Sequence, residues 1–109
     1  MFGSKLGSVE KAIQKKNAGA LMELGTNKDK EVSLAAIAGL GTVGGHEAAN
    51  YLISRLQSAE ADVRMAVAHA LGAIGDIHTK AFVAAQMNKE TDPQVREAMS
   101  LAMSRIKSY

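Results

Sequence analysis

Three histidines, His46, His69 and His78, are the only side chains in this 109-residue sequence suited to proton transfer near neutral pH. Work as a base or a metal ligand would require carboxylates at matching spacing, and no acid-rich cluster accompanies any of them. No serine stands in a nucleophile-elbow context. Cysteine is absent, which removes thiol nucleophiles, disulfides and thiolate-bound metals. The run Gly39-Leu40-Gly41-Thr42-Val43-Gly44 matches G-x-G-x-x-G as a string. A phosphate loop of that kind needs a strand before it, and this run lies at a helix end. The expectation is a non-enzymatic protein with no cofactor and no metal.

The elements that carry these residues follow from composition and repetition. Hydrophobic residues make up 47% of the chain while aromatics reach only 4%, and alanine alone contributes 19. Small apolar side chains in that excess suit closely packed helices better than a sheet. The ten glycines are then punctuation. Three segments, beginning at Asp29, Glu60 and Asp92, align on Val32, Val63 and Val95. Offsets +3, +4, +7, +8 and +11 from each valine are apolar or glycine, the one-face spacing of a helix. The acid three residues before each valine suits a helix start, and Pro93 suits the first helical position. A second helix follows the first in each full copy, with Tyr51 matching Phe82, Leu52 matching Val83 and Leu56 matching Met87. Gly44-Gly45 and Gly75 fit the turns between them. Phe2, Leu6, Val9 and Ile13 keep a helical spacing in the opening stretch, where Gly3 and Gly7 would shorten or fray the helix.

The run Asp62-Val63-Arg64-Met65-Ala66-Val67-Ala68-His69-Ala70-Leu71-Gly72-Ala73-Ile74-Gly75-Asp76 resembles the HEAT-like repeat of the phycobilisome-lyase type. Asp92-Pro93-Gln94-Val95-Arg96-Glu97-Ala98 matches its opening, whereas the first copy departs from it with Ser33 in place of the arginine. The resemblance implies an all-α fold, a short right-handed α-α solenoid of about three and a half repeats in a single domain, 1–109. Its parts are a degenerate leading repeat at 1–25, repeats at 29–57 and 60–89, and a terminal helix at 92–107. Gly39, Ala70 and Ala102 share one offset, where a small residue lets helix axes approach. Arg64 and Arg96 are expected to pair with carboxylates of an adjacent turn, and Tyr51 and Phe82 to lie in the core. His46-Glu47 is similar to one of the His-Glu pairs of HEAT-like di-iron hydroxylases, the deoxyhypusine hydroxylase family among them. Those enzymes use several such pairs on successive helices, and this chain has one.

Surface patterning gives the functional expectation. The formal charge is only +2, and the lysines concentrate in the N-terminal third, where Glu10, Asp29 and Glu31 dilute them. Asn50, Ser54, Gln57 and Asn88, assigned to a concave groove on the second helices, include no basic residue. Specific nucleic-acid binding is not expected. The sequence shows no targeting signal and no stretch suited to a membrane, so the expectation is a soluble cytoplasmic protein. In the resembled family the outer positions of the first helix are usually charged. Here they include Leu34, Ala38, Met65, His69 and Leu101, with Ile37 expected on the flank. An exposed apolar surface of this kind often marks an interface, which predicts an interaction module or small scaffold with a protein partner or a second copy of the chain. Met99, Leu101, Met103 and Ile106 suggest end-to-end pairing as another route to association. The resemblance implies an alternative, an accessory subunit related to phycobilin lyases or isomerases.

Overall fold

Capping side chains start two of the three helices that the leading acids predicted. In the computed structural model, which describes residues 4–106, the helices are α1 (Ser4–Gln14), α2 (Ala18–Leu24), α3 (Lys30–Val43), α4 (His46–Ser54), α5 (Ala61–Ile74), α6 (Lys80–Lys89) and α7 (Pro93–Arg105). Phe2 and Gly3 of the opening helix, and residue 107 of the terminal one, lie outside the described residues. Asp29 accepts from the Glu31 amide at the start of α3, and Asp92 accepts from the Gln94 and Val95 amides at the start of α7. Such caps satisfy donors that a helix cannot satisfy itself. Glu60 occupies the same place before α5 without capping it, its longer side chain lying instead 3.0 Å from Lys30 Nζ. Gly44, Gly45 and Gly75 end the first helices at φ of 76°, 95° and 72°, a region that disfavours any side chain.

The helices form an α-solenoid, with no strand among the described residues. α1, α3, α5 and α7 stack in succession as one layer. α2, α4 and α6 form the second, and α6 packs chiefly on α7 while barely touching α4. Leu21, Val32, Leu40, Leu52, Val63, Leu71, Val83, Val95 and Met99 fill the buried core. Stacking supplies the apolar cover that one helix pair lacks.

The first layer is drawn together by missing side chains. A Cβ on Gly41 would fall 2.9 Å from Ala70 Cα, and one on Gly72 would fall 3.0 Å from Ala102 Cα. Each first helix thus presents a row one turn apart to its successor: Ser33, Ile37 and Gly41 on α3, then Arg64, Ala68 and Gly72 on α5. On α7 the same row reads Arg96, Ser100 and Ser104, and all three are exposed and polar. Met99 and Ile106, expected among the residues favouring end-to-end pairing, are fully buried, and Met103 is half-buried.

The first residue of each row ties successive repeats together at their loops. Arg64 donates from Nη1 to the Ser58 carbonyl (2.8 Å) and from Nε and Nη2 to the two oxygens of Glu90 (2.7 and 3.0 Å). Glu90 is 5% exposed. The Arg64 guanidinium holds its carboxyl below the ordinary glutamate value, against the opposing effect of burial. Arg96 departs from the expected carboxylate pairing and donates to the Met87 and Glu90 carbonyls instead. The C-terminal end of a helix leaves carbonyls in need of a donor, and the α6 end takes Arg96 for that purpose.

Phe82 departs more sharply, being 54% exposed rather than in the core. Its counterpart Tyr51 lies over Gly25, where a Cβ would come within 2.5 Å of the tyrosine hydroxyl. The position matching Gly25 one repeat later carries Gln57, so Phe82 has no bare backbone to lie on.

Candidate functional site

On the exposed side of the first layer the stacked helices leave two shallow grooves that share His69. One, of about 350 Å³ between α3 and α5, is lined by Ala38, Gly41, Thr42, Ala66, His69, Ala70 and Ala73. The other, of about 310 Å³ between α5 and α7, is lined by Met65, His69, Gln94, Glu97, Ala98 and Leu101. The first is shallow and apolar because the Gly41–Ala70 contact forms its floor. The second takes its apolar character from Met65 and from Leu101, which is 52% exposed.

The structure therefore brings Ala38, Met65, His69 and Leu101 to one surface, with Leu34 half-buried on the same helix as Ala38. Ile37 does not belong there. It is 0% exposed, because it stands in the row with Ser33 and Gly41 that meets α5. Helical periodicity puts Ile37 beside the exposed stripe, but the position of the neighbouring helix decides which flank is covered. Asn50, Ser54, Gln57 and Asn88 are all exposed on or just beyond the second helices. Ser54 Oγ is engaged locally with the Tyr51 carbonyl.

Two histidines meet a carboxylate that the sequence did not assign to them. Asp76 lies 3.2 Å from His46 Nδ1 and 3.1 Å from His78 Nδ1, one imidazole on each carboxylate oxygen. The His78 backbone amide is the main cause of the lowered Asp76 pKa, with both imidazoles adding to it and burial opposing. The two rings stand 6.3 Å apart on opposite oxygens. Among the described residues, no group of three or more His, Cys, Asp or Glu could hold a metal ion. His46 and His78 are 32 positions apart in the sequence, and only the stacking of successive repeats juxtaposes them.

The stacked pairs, the repeated valine offsets and the glycine contacts between first helices match what a family model finds independently. The model for HEAT repeats matches residues 10–104. The chain belongs to the HEAT repeat family. No curated protein is found to match it. In this HEAT repeat chain, no helix among the described residues is long and apolar enough to cross a membrane. HEAT repeats commonly serve as scaffolds for protein interaction, and the fold itself names no partner.

Proposed function

We propose that the chain is a non-enzymatic protein-interaction module that holds a protein partner along the exposed side of α3, α5 and α7. Leu34, Ala38, Met65, His69 and Leu101 form the contact surface. The observation that carries this reading is the convergence of two grooves on His69, one with an apolar floor and one rimmed by a half-exposed leucine. Positions that face water on an ordinary solenoid repeat are charged, and here most are not. Small residues along the α3–α5 groove admit the side chains of a partner, while His69 and Glu97 supply polar contacts at the centre and edge. Asn50, Ser54, Gln57 and Asn88 provide a second, uncharged surface. None of them is basic or aromatic, so nothing there favours holding the propionates of a bilin.

The test is an affinity capture from the native cell with two baits, the parent chain and Met65→Glu/Leu101→Glu. A protein retained by the parent and lost with the variant supports the reading, provided both baits melt at the same temperature. Equal retention by both baits overturns it. Light scattering on the same pair asks whether the partner is a second copy: a dimer abolished by the variant assigns the surface to self-association.

A further inference from the structure

The repeat is broken at one place, and the break leaves a polar cavity. Ser33, Arg64 and Arg96 are the fourth residues of α3, α5 and α7, and each donates to a carbonyl at the end of the preceding second helix or in the loop that follows it. Arg64 also reaches the carboxylate of Glu90 in the next loop. Ser33 stops at the Gly25 carbonyl, 2.6 Å away. The residue that matches Glu90 one repeat earlier, six positions before the arginine, is Ser58. Both charges of the ion pair are therefore missing from the first interval. In their place lies a cavity of about 450 Å³ lined by Gly25, Thr26, Asn27, Lys28, Lys30, Ser33, Arg55 and Glu60.

We propose that this cavity binds an oxyanion, a phosphate or carboxylate group presented by a ligand. Its unspent groups are donors. Arg55 makes both of its hydrogen bonds from Nη1, to the Gly25 carbonyl and the Tyr51 hydroxyl, so Nε and Nη2 remain available. The guanidinium is held in place by these bonds and by the Tyr51 ring, 5.7 Å from its carbon to the ring centre. Asn27 uses its side-chain oxygen on the Asp29 amide, which leaves the Nδ2 hydrogens free to donate. Lys28 is exposed at the rim. The single acid in the lining, Glu60, lies 3.0 Å from Lys30 Nζ, and the same ammonium also holds Asp62 at 3.1 Å outside the lining, so the positive charge left for a ligand is that of Arg55 and Lys28. A fixed guanidinium fork with further N–H donors around it matches the geometry of a phosphate or carboxylate.

The experiment is a titration of the full chain with inorganic phosphate and, separately, with acetate, at constant ionic strength, followed by NMR. The expected result is a saturating shift of the Arg55 Nε–H and Asn27 side-chain amide signals. Phosphate acting alone identifies the source as a phosphoryl group, and acetate acting alone identifies it as a carboxylate. Ser33→Gln fills the cavity with a neutral side chain that can still donate to Gly25, and is expected to weaken binding about tenfold or more. Lys28→Gln, at an exposed position, is expected to weaken it about threefold while leaving the melting temperature unchanged. The proposal is overturned if neither anion gives a localised, saturating response. It is also overturned if both folded variants bind as the parent does.

Discussion

Gly41 and Ala70 meet with no space for a side chain between them: a Cβ on Gly41 would lie 2.9 Å from Ala70 Cα and 3.1 Å from Ala70 Cβ. The first of these atoms is backbone, so relief requires the two helices to separate. The contact recurs between Gly72 and Ala102, and it fixes the spacing of the first layer.

Gly41→Ala therefore sets crowding against helix propensity. Overpacking costs about 1–3 kcal/mol, while replacing a helical glycine with alanine recovers about 1 kcal/mol. Net destabilisation of about 1 kcal/mol is expected from urea unfolding. Gly7→Ala on α1, where nothing lies within 4 Å of the added carbon, carries the gain without the clash. It should stabilise by up to about 1 kcal/mol. Equal effects from the two substitutions would dismiss the contact as the cause.

Arg64→Met strands Glu90, whose side chain is 2% exposed beside an arginine that is itself 17% exposed. Removing one partner of a buried pair costs about 3–5 kcal/mol, much of it from the orphaned charge. The double variant Arg64→Met/Glu90→Gln should lose less than Arg64→Met alone, which chemical denaturation of both will show.

The same pair sets the acid limb of the stability curve. Glu90 has a depressed pKa in the folded state, so the folded chain holds its proton less tightly than the unfolded chain does. Its contribution is complete above the ordinary glutamate value of about 4.3, and is lost as pH falls through the lower folded value. Glu90→Gln should be less stable than the parent at neutral pH and show a shallower decline in melting temperature below about pH 4.3. An unchanged slope would assign the acid limb to other carboxylates.

Phe82 supplies a test of what the core does not contain. With 54% of its surface exposed, Phe82→Ala is expected to cost less than about 1 kcal/mol. Leu71→Ala, at a fully buried leucine, should cost about 2–5 kcal/mol. Thermal melts of the two variants will separate these values.

Much of the fold was legible because each helix advertises itself locally. Asp29 and Asp92 cap as their positions suggested, and Gly44, Gly45 and Gly75 take the positive φ that their places in the turns demanded. The valine offsets identified the buried faces. What escaped depends on relations between repeats. Ile37 could not be told from an exposed flank residue until α5 was seen lying against its row. Phe82 looked equivalent to Tyr51, but the difference rests on Gly25 against Gln57, residues of the preceding repeat. Asp76 gathers two histidines only after stacking. Of the candidate surface, Ala38, Met65, His69 and Leu101 were legible because their spacing matches outward positions of a helix. The cavity beside Ser33 had one signal in the sequence, the serine standing where two other copies hold arginine.

The unequal closeness of the two layers has a mechanical consequence. Along the first layer, glycine-to-alanine contacts leave no slack, so that edge resists both compression and sliding. Along the second, α4 and α6 barely touch, and α4 meets the short turn at Ile77–Thr79 that leads into α6. Bending is therefore easier along the second layer than along the first, much as a bound book opens at its fore-edge and not at its spine. The Asp76 contacts to His46 and His78 are the tie across that edge.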